Sequence, residues 1–151
     1  DYTAMVVGWI FGDGRDAKLY IRPEVINKRM TFPETVETCK GLSVSLREGG
    51  RYPTFYIEDV AYQRALPQQL ENEGIHEVYP VKVGGLDKRT RLILTAHLIK
   101  AGKILFPRQG CEELINQLVH FGVEKHDDLA DAFSILVAGF VEKPPCIARI
   151  F

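Results

Sequence analysis

Cysteine and histidine are scarce in this chain, three and four among 151 residues. Cys39, Cys111 and Cys146 are odd in number and widely spaced. That pattern argues against a disulfide framework or a zinc cluster and predicts reduced, packed thiols. Long apolar runs are missing too. The longest, residues 4–11 and 132–141, fall far short of the roughly 20 residues a membrane span needs. The chain opens on Asp1-Tyr2 rather than on a basic segment followed by a hydrophobic one, so no secretory leader is expected and the host-cell cytoplasm is the expected compartment. A net charge of −1 excludes a uniformly basic nucleic-acid binder, though not a locally basic one. No G-x-x-x-x-G-K-[ST] phosphate loop occurs, so these residues hold no ATPase of that type. Repeats, linkers and low-complexity tracts are also absent, and residues 1–151 are expected to form one domain.

Hydrophobic spacing and breakers supply the elements. Residues 3–11 and 17–22, separated by Gly12-Asp13-Gly14, predict a β-hairpin. Val36, Cys39, Leu42 and Leu46 recur at helical spacing, predicting a helix over 34–48. Residues 54–57 (TFYI) read as a strand, 61–73 as a helix disturbed by Pro67, and 76–83 as a strand near a sheet edge because of Pro80. Helices follow over 89–101 and 112–121, with a short strand at 104–106 between them. A last helix begins near Asp127, with Leu129, Phe133, Leu136, Val137 and Phe140 on one face, and stops before Pro144-Pro145. This alternation predicts an α/β domain, a mixed sheet sandwiched by helices.

Charge is distributed unevenly. Residues 82–108 carry seven basic side chains and one acid, while residues 109–131 carry six acids and one base. The basic stretch either holds phosphate groups or is a solvated helix face. Glu58 and Asp59 directly follow TFYI. A side chain there projects from the end of a buried strand, where an unpartnered carboxylate is costly. Glu58 is read as functional, against an exposed turn acid, and Asp59 as the cap of the next helix. Asp127, Asp128 and Asp131 crowd the first turn of the last helix. Capping and the helix dipole account for one such carboxylate; three repel one another unless a cation lies between them. All-oxygen donors suit Mg²⁺ or Mn²⁺. His126 is read as a hydrogen-bond partner rather than a ligand.

With these residues in view, the chain resembles a known family. DYTA (1–4), FYIEDVAYQ (55–63), KRTR (88–91), AGKILFP (101–107) and HDDLADA (126–132) look like the C-terminal nuclease domain of the terminase large subunit of tailed phages or prophages. The likeness covers almost the whole chain in the right order, and HDDLADA and the K-x-T-R element are its most specific parts. It implies an RNase H-like mixed sheet flanked by helices on both faces, and a two-metal-ion endodeoxyribonuclease that cuts concatemeric viral DNA during genome packaging. It further implies Mg²⁺ or Mn²⁺ held by Glu58, Asp127 and Asp128 as catalytic and metal-binding residues, with Asp131 and His126 behind them. Lys88, Arg89 and Arg91 would face the phosphates of double-stranded DNA. The terminase ATPase domain, the small subunit and the portal are the implied protein partners, and no membrane is.

The chain departs from the pattern in one respect. The family's first-strand aspartate lies upstream of the DYTA-like segment, often as Asp-Pro-Ala, and no Asp-Pro occurs here. The chain is therefore read as a fragment of a longer ATPase-nuclease that lacks this strand, unless Asp1 or another strand fills the place. A non-catalytic DNA- or motor-binding module of the same fold, or another RNase H-like nuclease such as a junction resolvase, are the alternatives.

Overall fold

The apolar stretch at the start of the chain yields two strands rather than one. In the computed structural model, which describes residues 2–60, 64–82, 87–121, 123 and 125–142, β1 (Tyr2–Met5) and β2 (Gly8–Phe11) are separated by Val6-Val7. β2 forms the expected antiparallel hairpin with β3 (Lys18–Ile21), Trp9 facing Tyr20 and Ile10 facing Leu19. At its start Gly8 leaves room for Leu19: a Cβ there would lie 2.6 Å from Leu19 Cδ1 and force that core side chain to shift. A short 3₁₀ turn over Gly14–Asp16 joins the two strands, entered through Gly12 at φ +80°, which favours glycine. β1 pairs instead with β4 (Ile26–Arg29), a strand that no alternation in the sequence announces.

α1 (Phe32–Ser45) starts two residues before the predicted position. Thr31 and Glu34 form a reciprocal capping box, and Pro33 sits in the first turn, where its missing donor costs nothing. β5 (Phe55–Glu58) runs parallel to β6 (Val78–Val81), Phe55 facing Val78 and Glu58 facing Val81. Between them lies α2 (Ala65–Asn72), with Pro67 again in the first turn. The amides that the predicted Asp59 cap would serve, at residues 61–63, lie outside the described residues. Arg64 holds the N-cap position of α2 without a side-chain bond, and Asp59 Oδ1 lies 3.8 Å from Arg64 Nε. Residues 61–63 of the predicted helix lie outside the described residues.

α3 (Lys88–Lys100), β7 (Ile104–Leu105), α4 (Glu112–Val119) and α5 (Asp128–Glu142) complete the order. β7 adds to β3 in parallel, so β2-β3-β7 is a mixed sheet. Backbone contacts gather the chain into two units. One comprises Arg29–Val83 with Asp1, and its α1, α2, β5 and β6 bury Val36, Cys39, Leu70, Ile75, Val78 and Val81. The other comprises Tyr2–Lys28 and Gly84–Phe151. Its core joins Leu19 and Ile21 of β3, Ile104 of β7, Leu114 of α4, and Leu129, Phe133, Val137 and Phe140 of α5.

Cys39 and Cys111 are buried free thiols, as expected, and burial pushes Cys39 up to about 11; Cys146 and Pro144-Pro145 lie outside the described residues. No helix among the described residues is long and apolar enough to cross a membrane. Phe133 is fully buried and stacks on Phe106 with ring centroids 5.7 Å apart. Phe133→Ala is expected to cost about 3–5 kcal/mol, read as a lowered midpoint in urea unfolding at unchanged slope.

Candidate metal and phosphate site

The apolar face of α5 fixes where its acidic first turn lies. With Leu129, Phe133 and Val137 anchored in the core, Asp127, Asp128 and Asp131 fall at the other side of the helix start, half-exposed. A helix start leaves amides unpaired, and the acids are not what pairs them. Gln117, buried on α4, accepts from the amides of Leu129 and Ala130 through one oxygen, at 2.8 and 3.2 Å. Capping therefore does not account for the carboxylates. Sequence reasoning missed Gln117, although a polar residue one turn from Leu114 on the apolar face of α4 is a signal that it has a buried partner.

A cation does lie among the acids, and it is a side chain. Lys88 Nζ is 2.6 Å from Asp131 Oδ2 and 3.5 Å from Asp127 Oδ2. Arg91 Nη2 approaches Asp131 Oδ1 at 4.0 Å, and Arg91 Nη1 donates to Ser134 Oγ at 3.4 Å. Desolvation opposes the charge on Lys88, but hydrogen bonding and attraction from Asp131, with help from Asp127, hold its amine above the usual lysine value. Asp131 is also raised above its ordinary 3.8, because burial and the like charge of Asp127 outweigh Lys88 and Arg91. The two shifts have different causes: the carboxylates raise Lys88, whereas burial raises Asp131 against the pull of Lys88.

The remaining predicted residues are placed as follows. Asp128 is half-buried, and its side chain has no hydrogen bond or ion pair among the described residues. His126 is exposed and meets the ring of Tyr2, centroids 5.6 Å apart, with no hydrogen-bond partner among the described residues. Arg91 is only 12% exposed and turned onto α5, whereas Arg89 faces solvent. An open cavity of about 690 Å³ is lined by Asp87, Lys88, Arg89, Phe121 and Val123. It lies at the start of α3, where Asp87 caps the helix by accepting from the Thr90 amide at 2.7 Å. In the other unit Glu58 is the last residue of β5, one position earlier relative to the strand than predicted. It is half-buried, with no side-chain partner among the described residues. Within neither unit do three His, Cys, Asp or Glu side chains among the described residues gather as a metal-holding group.

Two outcomes test this geometry. Gln117→Leu leaves two buried amides of α5 unpaired and is expected to destabilise by about 1–3 kcal/mol, measured by denaturant unfolding and by faster amide exchange at Leu129 and Ala130. Because its folded pKa is raised, Asp131 contributes stability that is present below its ordinary 3.8 and lost as pH rises through the folded value. The stability of the native chain relative to Asp131→Asn should therefore fall as pH rises above the ordinary carboxylate value of 3.8, followed by urea titrations at each pH.

A family model described as the terminase RNaseH-like domain matches residues 1–138. The fold is also that of a solved structure, the crystal structure of the large terminase nuclease from thermophilic phage G20c with bound cobalt. The two share a TM-score of 0.56 at 18% identity, over 89% of this chain and 80% of that one. No curated protein matches the chain. With mixed strands and five α-helices among the described residues, the α/β fold is RNase H-like, and the chain belongs to the family of terminase RNase H-like domains.

Proposed function

We propose that the chain is the nuclease domain of a phage or prophage terminase, a divalent-metal-dependent endonuclease that cuts concatemeric DNA during genome packaging. The observation that carries this reading is the acidic first turn of α5. Its carboxylates are not used for capping, and a cation already stands between Asp127 and Asp131. The donor chemistry fits a hard divalent ion: carboxylate oxygens and no thiolate. The bound cobalt in the related nuclease structure supports divalent-metal use in this fold.

On this reading Glu58, Asp127 and Asp128 hold two ions, Mg²⁺ or Mn²⁺. Glu58 and Asp128 are suited to it because neither side chain has a partner among the described residues. When bound, the ions supply a nucleophilic water at neutral pH and neutralise charge building on the scissile phosphate. Asp131, backed by Arg91, stiffens the turn that carries the ligands. Arg89, at the open cavity, meets backbone phosphate, which gives affinity without base reading. Double-stranded DNA is the substrate, and the ATPase domain, small subunit and portal of the packaging machine are the protein partners.

Plasmid incubated with the chain and Mn²⁺ should be nicked. Glu58→Ala and Asp128→Ala should each lower the rate by a hundredfold or more, on the order of what removing one principal catalytic group costs, with unfolding midpoints held near the native value. Undiminished cutting by both variants refutes the assignment. A second reading, a DNA- or motor-binding module without catalysis, is favoured by the lack of three gathered metal donors within either unit among the described residues. It predicts salt-sensitive DNA binding with no Mn²⁺ uptake by calorimetry.

A further inference from the structure

We propose that Lys88 is a built-in counter-cation for the carboxylates of α5, which a divalent ion replaces, releasing the ammonium into the cavity it shares with Arg89. The inference rests on the metal-binding reading above and deepens it by assigning Lys88 a role in loading the site.

Two carboxylates one helical turn apart direct oxygens at one ammonium, 2.6 Å from Asp131 and 3.5 Å from Asp127. A divalent ion taking up Asp127 competes with Lys88 for that carboxylate and, with twice the charge a few ångströms away, repels its ammonium from Asp131 as well. Lys88 is built to leave. It is the first residue of α3, its side chain is half-exposed, and it also lines the open cavity with Asp87, Arg89, Phe121 and Val123. Moving its head from the acids to the cavity breaks no core contact, since no Lys88 atom belongs to the buried cluster. Its neighbours lack one or other end of this path. Arg91 is only 12% exposed and pinned to Ser134 and Asp131, while Arg89 lines the cavity without an acid partner among the described residues. Lysine also suits the task chemically: it is a point charge on a flexible stem, where arginine would grip a carboxylate with two parallel bonds. Until metal arrives, the ammonium keeps Asp127 and Asp131 from repelling each other; once displaced, it faces the space where Arg89 would meet a phosphate.

The test uses the whole chain and no substrate. Mn²⁺ binding by calorimetry is expected to be about fivefold tighter in Lys88→Met, the size of one half-exposed ion pair removed as competitor. In the native chain, with lysine side chains isotope-labelled, the Lys88 Cε and Nζ resonances should move toward those of solvent-exposed lysines as Mg²⁺ is added, following the metal isotherm. This second measurement stands even if Lys88→Met does not fold. Metal binding with unmoved Lys88 resonances, or equal or weaker Mn²⁺ binding in a folded Lys88→Met, overturns the inference and leaves the nuclease reading intact. No divalent binding by either protein overturns both.

Discussion

Repulsion among carboxylates at the start of α5 is the constraint around which the larger unit is organised. The helix is anchored by Leu129, Phe133, Val137 and Phe140, so its acidic turn cannot rotate away to dilute the charge. The unit answers from α3. Lys88 spans Asp127 and Asp131, Arg91 backs Asp131, and Ser134 holds Arg91 in place. Half-exposed pairs of this kind contribute little to stability individually. Their worth here lies in keeping a concentrated negative charge in a folded protein until something with more charge claims it.

Much of this was legible in the sequence. Helical spacing located the core face of α5, and the breakers set the order of strands and helices, because both follow from local steric and burial patterns. The segments FYIEDVAYQ and HDDLADA pointed to the family that the match over residues 1–138 then established. What escaped was non-local. β4 carries little apolar alternation and exists because β1 needs a partner. The start of α1 moved because Thr31 and Glu34 satisfy each other's backbone groups, a reciprocity that outranks hydrophobic spacing.

The basic stretch shows the same limit at the level of the site. Lys88, Arg89 and Arg91 form one motif by spacing, yet the helix sends them to three environments: shared between acids and cavity, exposed to solvent, and buried against Ser134. Spacing reveals that cations are present. Their division of labour depends on which face of α3 meets α5, and the chain decides that through burial of residues such as Leu92, Leu98 and Ile99 against the core.

Gln117 separates two tasks that a helix start usually performs together. It seizes the α5 amides from twelve and thirteen residues upstream, so α4 shares in fixing where the helix begins. A change at this one side chain of α4 is therefore felt at the acidic turn, whose opening amides it holds.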